Sequence, residues 1–270
     1  MNKKMLSLPY LFWCAAFILI PLAMVFYYGF TDKTGAFTLE NILAIATPEH
    51  FKALRISILL SLIATVVCLL LAYPLAMILA RMEVNTHSFI VLIFILPMWM
   101  NFLLRTMAWQ TLLEKNGVIN SVLSFLHLPS LNLINTPGAI ILGMVYNFLP
   151  FMVLPIYNSL TKIDQNVINA ARDLGANSVH TFFKITLPLS LPGVISGITM
   201  VFVPALTTFV ISTLLGGSKI LLIGNVIEQE FTQTGNWHLG SGLSMVLMLF
   251  IIVNMVLSAI FYKEGEANAL

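Results

Sequence analysis

Charge is what this sequence has least of. Only 9% of its 270 residues are Asp, Glu, Lys or Arg and 59% are hydrophobic, where an ordinary soluble domain is about 25% charged. Mean hydropathy is +0.95, so the chain belongs in lipid. The formal net charge of +2 leaves no basic field of the kind that binds nucleic acid. Cysteine is scarce too. Cys14 and Cys68 both lie inside apolar runs, without CxxC or Cys/His spacing. That pattern argues against a metal site or a disulfide and reads as two small buried hydrophobes. Neither HExxH nor GxSxG occurs, and the histidines at 50, 87, 127, 180 and 238 fall in loops or near the ends of apolar runs. An intramembrane enzyme would need such groups clustered inside the spans. A G-x-x-x-x-G-K-[ST] phosphate loop is also missing, and the "GGSK" at 216–219 has the wrong spacing for one. Any ATP and Mg chemistry must come from another polypeptide, and no cofactor is expected on this chain.

What is present is a series of long apolar runs, at about 8–30, 56–80, 88–112, 138–158, 190–215 and 240–262. Each is near the length that crosses a bilayer, and lipid gives a backbone no partners but its own, so each is expected to be a helix. The expected fold class is therefore an all-α membrane protein with six transmembrane helices. Polar stretches are too short for a separate soluble domain, so residues 1–270 read as a single transmembrane domain. The first run is too long for a secretory signal, and Phe12-Trp13 before Cys14 lacks the small residue of a lipoprotein cleavage site, so it reads as a retained span. An even number of spans puts both termini on one side. With both inside, Lys3, Lys4, Arg81, Lys162, Arg172, Lys184 and Lys263 are cytoplasmic, while Lys33, Lys52, Arg55, Lys115 and Lys219 are outside. Seven against five favours cytoplasmic termini.

One stretch departs from this pattern. "NAARDLGANSVHTFFKITLPLSLPGV", residues 169–194, is polar between two spans. Asp164 is placed to cap a helix in which Val167, Ile168, Ala171 and Leu174 share a face. Gly175 is placed as a left-handed stop. Asn177 or Ser178 then caps a second short helix with Val179, Phe182 and Phe183 as its apolar set. Pro188 and Pro192 are read as the turn into the fifth span. Two readings remain open on the residues alone: an interfacial helix pair against lipid headgroups, or a docking surface for a cytoplasmic partner.

The loop resembles one found in membrane subunits of ABC importers, of pattern E-A-A-x3-G-x9-I-x-L-P. Here it runs Asn169-Ala170-Ala171, then Asp173 within the three-residue spacer, Gly175, Ile185, Leu187 and Pro188. Every spacing fits, and the one departure is Asn169 where the family has Glu. The missing Glu either weakens one contact to the ATPase of such importers or is made good by a neighbour such as Asp173, which can supply the charge. The resemblance implies a type I ABC importer permease fold, with residues about 164–188 as the coupling helix region seated on an ATP-hydrolysing subunit. "FILPMWMNFLLRTMAW" (94–109), "GMVYNFLPFMVLPIYNSL" (143–160) and "LLGGSKILLIGNVIEQEF" (214–231) further resemble spermidine/putrescine importer permeases of the B-type. That family implies a second homologous permease in a heterodimer, two ATP-binding subunits, an extracellular or periplasmic polyamine-binding protein and a bacterial inner-membrane location. Related readings are a permease of the same superfamily for another small solute, and a stand-alone carrier, which leaves the loop pattern unexplained.

Candidate path residues follow from chemistry in the spans. Asn101 and Arg105, four apart, are expected on one helix face. A charge in a span faces protein or water, as a gate or pairing group, or else snorkels to the interface. Trp99, Trp109 and Tyr146 offer either cation–π faces to ammonium groups or an interfacial aromatic belt. Pro204, midway along the expected fifth span and followed by Thr207, Thr208, Ser212 and Thr213, is either a kink beside a polar route or a packing kink. Glu228, Glu230 and Glu114 are candidates for an acidic entrance that attracts a polyvalent cation, or are solvated loop carboxylates.

Overall fold

The computed structural model describes residues 8–82 and 98–267. The first helix, α1, is built from Leu8–Cys14, a wide π turn at Ala15–Leu19 and Ile20–Phe30. Then come α2 (Pro48–Arg81), α3 (Phe102–Leu113), α4 (Val118–Phe125), α5 (Pro137–Leu160), α6 (Gln165–Asp173), α7 (Ser178–Thr207), α8 (Ile223–Thr232) and α9 (Trp237–Ala267). Among the described residues five helices are long and apolar enough to cross a membrane, corresponding to α1, α2, α5, α7 and α9. The expected third span lies partly outside the described residues, at 88–97.

The centre of the bundle is α2, α5 and α7, while α9 packs on α7 and carries α1 on its flank. Lipid is as apolar as leucine, so helices in a membrane associate by close packing and not by hiding hydrophobic surface. The sequence of α2 supplies the means. Ser57, Ser61, Ala64, Cys68, Ala72 and Ala76 recur at steps of three and four and are all fully enclosed. The Cys68 thiol reaches the Val145 carbonyl of α5 at 3.9 Å. Opposite them stand Ile140, Met144, Met152 and Ile156, also fully enclosed. α7 meets α5 at Gly193, where an added Cβ would lie 2.6 Å from the Pro155 carbonyl oxygen. No side chain fits in that crossing. Tyr73 Oη and Ser190 Oγ, 2.7 Å apart, tie α2 to α7 in the same region.

One expected span comes out differently. The fifth was expected at 190–215 with a turn at Pro188 and Pro192. Instead α7 runs unbroken from Ser178 to Thr207 and contains both prolines. The π turn at Phe182–Thr186 lies just before Pro188. A widened turn there accommodates a ring that would otherwise press on the carbonyl four residues back. The helix then ends at Thr207, with Thr208 extended (ψ 138°), so Pro204 stands in its last turn and not at its middle. A separate π turn, Ser212–Gly216, leads through 217–222 into α8.

Asn225 holds this segment. Its amide donates to the Phe209 carbonyl (3.1 Å) and to Thr213 Oγ1 (2.8 Å), while its Oδ1 accepts from Leu222 N (3.1 Å) and Ser212 Oγ. Ser57 Oγ of α2 accepts from Ile223 N at 2.8 Å. The hydroxyls expected beside a polar route are thus partly consumed: Ser212 and Thr213 serve this staple.

Candidate coupling loop and transport path

The loop begins as expected. Asp164 accepts from Asn166 N (2.9 Å) and starts α6. α6 ends with Gly175 N donating to Arg172 O (2.9 Å) and Ala176 N to Ala171 O (3.0 Å). That pair of bonds needs a residue in the left-handed region, and Gly175 has φ +85°. Asn177 then accepts from His180 N at 2.8 Å and caps α7. The second short helix is therefore the first two turns of α7, which makes the loop and the fifth span one mechanical piece.

Asn169, Ala170 and Asp173 lie exposed, with Ala171 half-buried. Asp173 is one helical turn beyond Asn169, so both present polar groups on one open side. Leu174, expected on the packed face, is instead 89% exposed at the helix end, and Val179 is 65% exposed. Ile185, Leu187 and Pro188 are half-buried, and Leu187 packs on the central core. A cleft of about 300 Å³ separates the loop from α2, lined by Arg81, Gln165, Ile168, Arg172, Thr181 and Phe182 among others. The loop so placed is an exposed lever: its tip is open and partly apolar, and its root is fixed in the helix bundle.

The path candidates do not all come together. Asn101 stands one turn before Arg105, whose N–H donates to its carbonyl at 3.1 Å, but at the end of α3 and not within it. It is the N-cap, accepting from Leu103 N (2.8 Å) and Leu104 N (3.3 Å) with ψ 126°. The asparagine's own capping chemistry breaks the helix there. Arg105 is 7% exposed, and its Nε and Nη1 are enclosed without an acceptor. It does not snorkel. Trp109 and Tyr146 pack edge to face at 5.3 Å, so part of each ring is committed to the other, while Tyr146 keeps 38% exposure. Trp99 is 76% exposed.

Glu228 and Glu230 lie two apart on α8, about 200° around the helix, and face different clefts. Glu228 lines one of about 440 Å³ with Phe231, Ile227 and Leu247. Glu230 lines one of about 330 Å³ with His50, Lys52 and Lys219. Glu114 is exposed at the end of α3. A single acidic mouth made of all three is not what the fold builds.

Some buried polar groups escaped the sequence reading. Asn147 on α5 donates to Gly143 O (2.9 Å) and approaches Thr106 Oγ1 (3.5 Å), leaving its Oδ1 enclosed and unpartnered. Asn225 is the other. In both cases the available signal was a lone Asn in an apolar run, "MVYNFLP" and "LIGNVIE". Among the described residues no group of three metal-ligating side chains occurs.

Comparison with known proteins agrees with this geometry. A family model described as "Binding-protein-dependent transport system inner membrane component" matches residues 5–263. The spermidine/putrescine transport system permease protein PotB of Haemophilus influenzae is 37% identical over 253 residues, 89% of this chain and 88% of its own. PotB of Escherichia coli is 36% identical over 266 residues, 94% and 97% respectively. Among solved structures, a bacterial ABC transporter involved in the import of the acidic polysaccharide alginate superposes with TM-score 0.82 at 15% identity, covering 97% of this chain and 94% of that one. At that identity the likeness speaks for the fold alone. The helical bundle is an ABC importer membrane subunit in architecture, and the chain belongs to the family of inner membrane components of binding-protein-dependent transport systems.

Proposed function

We propose that this chain is the B-type permease of an ATP-driven importer that carries spermidine and putrescine into a bacterial cell. The observation that carries the substrate is the 36–37% identity to PotB permeases along nearly the whole chain. In this reading both termini are cytoplasmic, residues 1–270 form one permease domain, and α6 with the start of α7 is the element seated on an ATPase subunit. The apolar tip at Leu174 and Val179 gives that subunit something to cover. A second, homologous permease completes the membrane unit, and two ATP-binding subunits supply ATP and Mg chemistry. A periplasmic protein delivers the polyamine.

ATP-driven closure moves the loop, and α7 is continuous with it, so displacement of α6 is delivered along a single helix to Thr207. There the chain breaks into the Asn225-stapled segment. In this way the loop's motion reaches the opposite side of the bundle without a separate linkage. The path itself would draw on Tyr146 and Trp99 for cation–π contact. Arg105 would act as a structural or gating group, since its charge repels the cargo.

The test is the purified complex in lipid. Spermidine-loaded binding protein is expected to raise ATP hydrolysis several-fold over the unloaded protein. Equal stimulation by loaded and unloaded forms would remove the polyamine assignment.

A further inference from the structure

Arg105 is the most anomalous residue in the bundle. It is a cation, 7% exposed, within the expected third span, and it makes no hydrogen bond or ion pair with any described residue. A charge without water or a partner is costly in an apolar setting, and buried polar groups are nearly always satisfied. No described residue supplies a remedy. Its acidic residues are Asp32, Glu40, Glu49, Glu83, Glu114, Asp164, Asp173, Glu228, Glu230, Glu264 and Glu266, and none falls inside an expected span. For a carrier of cations, a bare positive charge beside the path is a further disadvantage, because repulsion grows with the valence of the cargo.

The surface next to Arg105 suggests where the remedy comes from. Asn101, Leu104, Ala108 and Thr111, at steps of three and four along α3, are all exposed, Leu104 by 62%. Leu103 (47%) and Met107 (44%) widen the strip. Arg105 borders it, one turn from Asn101 and from Ala108. Nε and Nη1 are closed off by this chain itself, so a helix laid along the strip would meet the guanidinium at Nη2.

We infer that this strip of α3 is covered by the second membrane-spanning subunit, and that a carboxylate of that subunit neutralises Arg105 within the membrane. The inference rests on the importer reading for the existence of that subunit, but not on polyamine as cargo. Charge complementarity selects the occupant: lipid tails would cover the apolar strip but leave the guanidinium unpaired.

The proposal makes opposite demands on the free chain and on the complex. Arg105→Met removes an uncompensated charge from the isolated full chain, so its thermal midpoint in detergent should rise by about 2–4 °C. In the assembled transporter the same change strands the partner's carboxylate. Co-purification of the second permease with this chain should fall at least tenfold, and Arg105→Lys should keep most of it. A midpoint that rises in both settings, with assembly intact, would mean that lipid covers the strip and overturn the inference.

If the Arg105→Met chain fails to insert, Leu104→Cys in a chain lacking Cys14 and Cys68 decides. A bifunctional maleimide should join it to the second permease carrying single cysteines, and no cross-link at any position would overturn the proposal. Neither readout uses a polyamine, so failure of the substrate assignment leaves both interpretable.

Discussion

Gly175 has nothing within 4 Å of where a Cβ would stand, yet its φ is +85°. Any penalty for substitution there is backbone penalty alone. A non-glycine residue in the left-handed region costs about 1–2 kcal/mol, and a β-branched one more. Gly175→Val should therefore disturb the joint between α6 and α7 without disturbing the bundle. Uptake is expected to fall roughly 5- to 30-fold, the factor that 1–2 kcal/mol allows, at an unchanged membrane level. Gly175→Asn, which tolerates the left-handed region, should lose far less. Uptake at the wild-type rate in the valine variant would remove the joint from the coupling role. Asp32, in the exposed turn that follows α1, is a contrasting residue. Hydrogen bonds from the Thr34 hydroxyl and from the Ala36 and Thr34 backbone hold its carboxyl below the ordinary value. Their contribution to the turn is complete above the ordinary carboxylate range and is lost as pH falls through the lowered value.

At the scale of elements, α8 divides what the sequence had joined. A two-residue spacing looks like a pair in a list of residues, but on a helix it points to opposite sides. Glu230 shares its cleft with Lys52 and Lys219, whereas no basic residue lines the cleft of Glu228. Each carboxylate also accepts from a threonine four residues on, Thr232 for Glu228 (2.9 Å) and Thr234 for Glu230 (2.8 Å). Glu228→Gln and Glu230→Gln should act independently. In a double-mutant cycle of spermidine uptake their effects should add to within about 0.5 kcal/mol, as expected for sites without shared partners. Only Glu230→Gln should change the salt dependence of uptake, because it leaves Lys52 and Lys219 facing Glu49 as the one remaining carboxylate of that cleft. Strong coupling between the two would instead restore a common acidic entrance.

For the whole molecule, the proposed orientation fixes which solutions each end meets. The loop of α6, Arg81 and the start of α7 line one cleft and so share one end of the bundle. The opposite end carries the turn after α1, where Asn41 Nδ2 donates to Thr31 O (2.9 Å) and His238 Nδ1 lies 2.6 Å from the same carbonyl. With the loop inside, Asn177→Cys in a background lacking Cys14 and Cys68 should react with an impermeant thiol reagent only after the cytoplasmic face is opened. Labelling of intact cells from outside would overturn both the orientation and the coupling role.

Composition and pattern alone determined the environment, the spans that hydropathy can see and the loop. A charge content this low has no other solvent, and caps and a left-handed glycine are local chemistry that a sequence carries in full. Asp164, Gly175 and Asn177 behave as their neighbours in sequence require. The tertiary structure decided what local rules cannot see. α7 absorbs Pro188 and Pro192 because a π turn precedes them and α5 grips it at Gly193. It ends at Thr207, and the chain beyond is held by Asn225, a residue 18 positions further on. Asn101 breaks its helix by capping it, although apolar content favoured a straight span. Burial, finally, is a property of the assembled helices: only their packing decided between the snorkelling and the enclosed reading of Arg105, and left its Nε and Nη1 without an acceptor among the described residues.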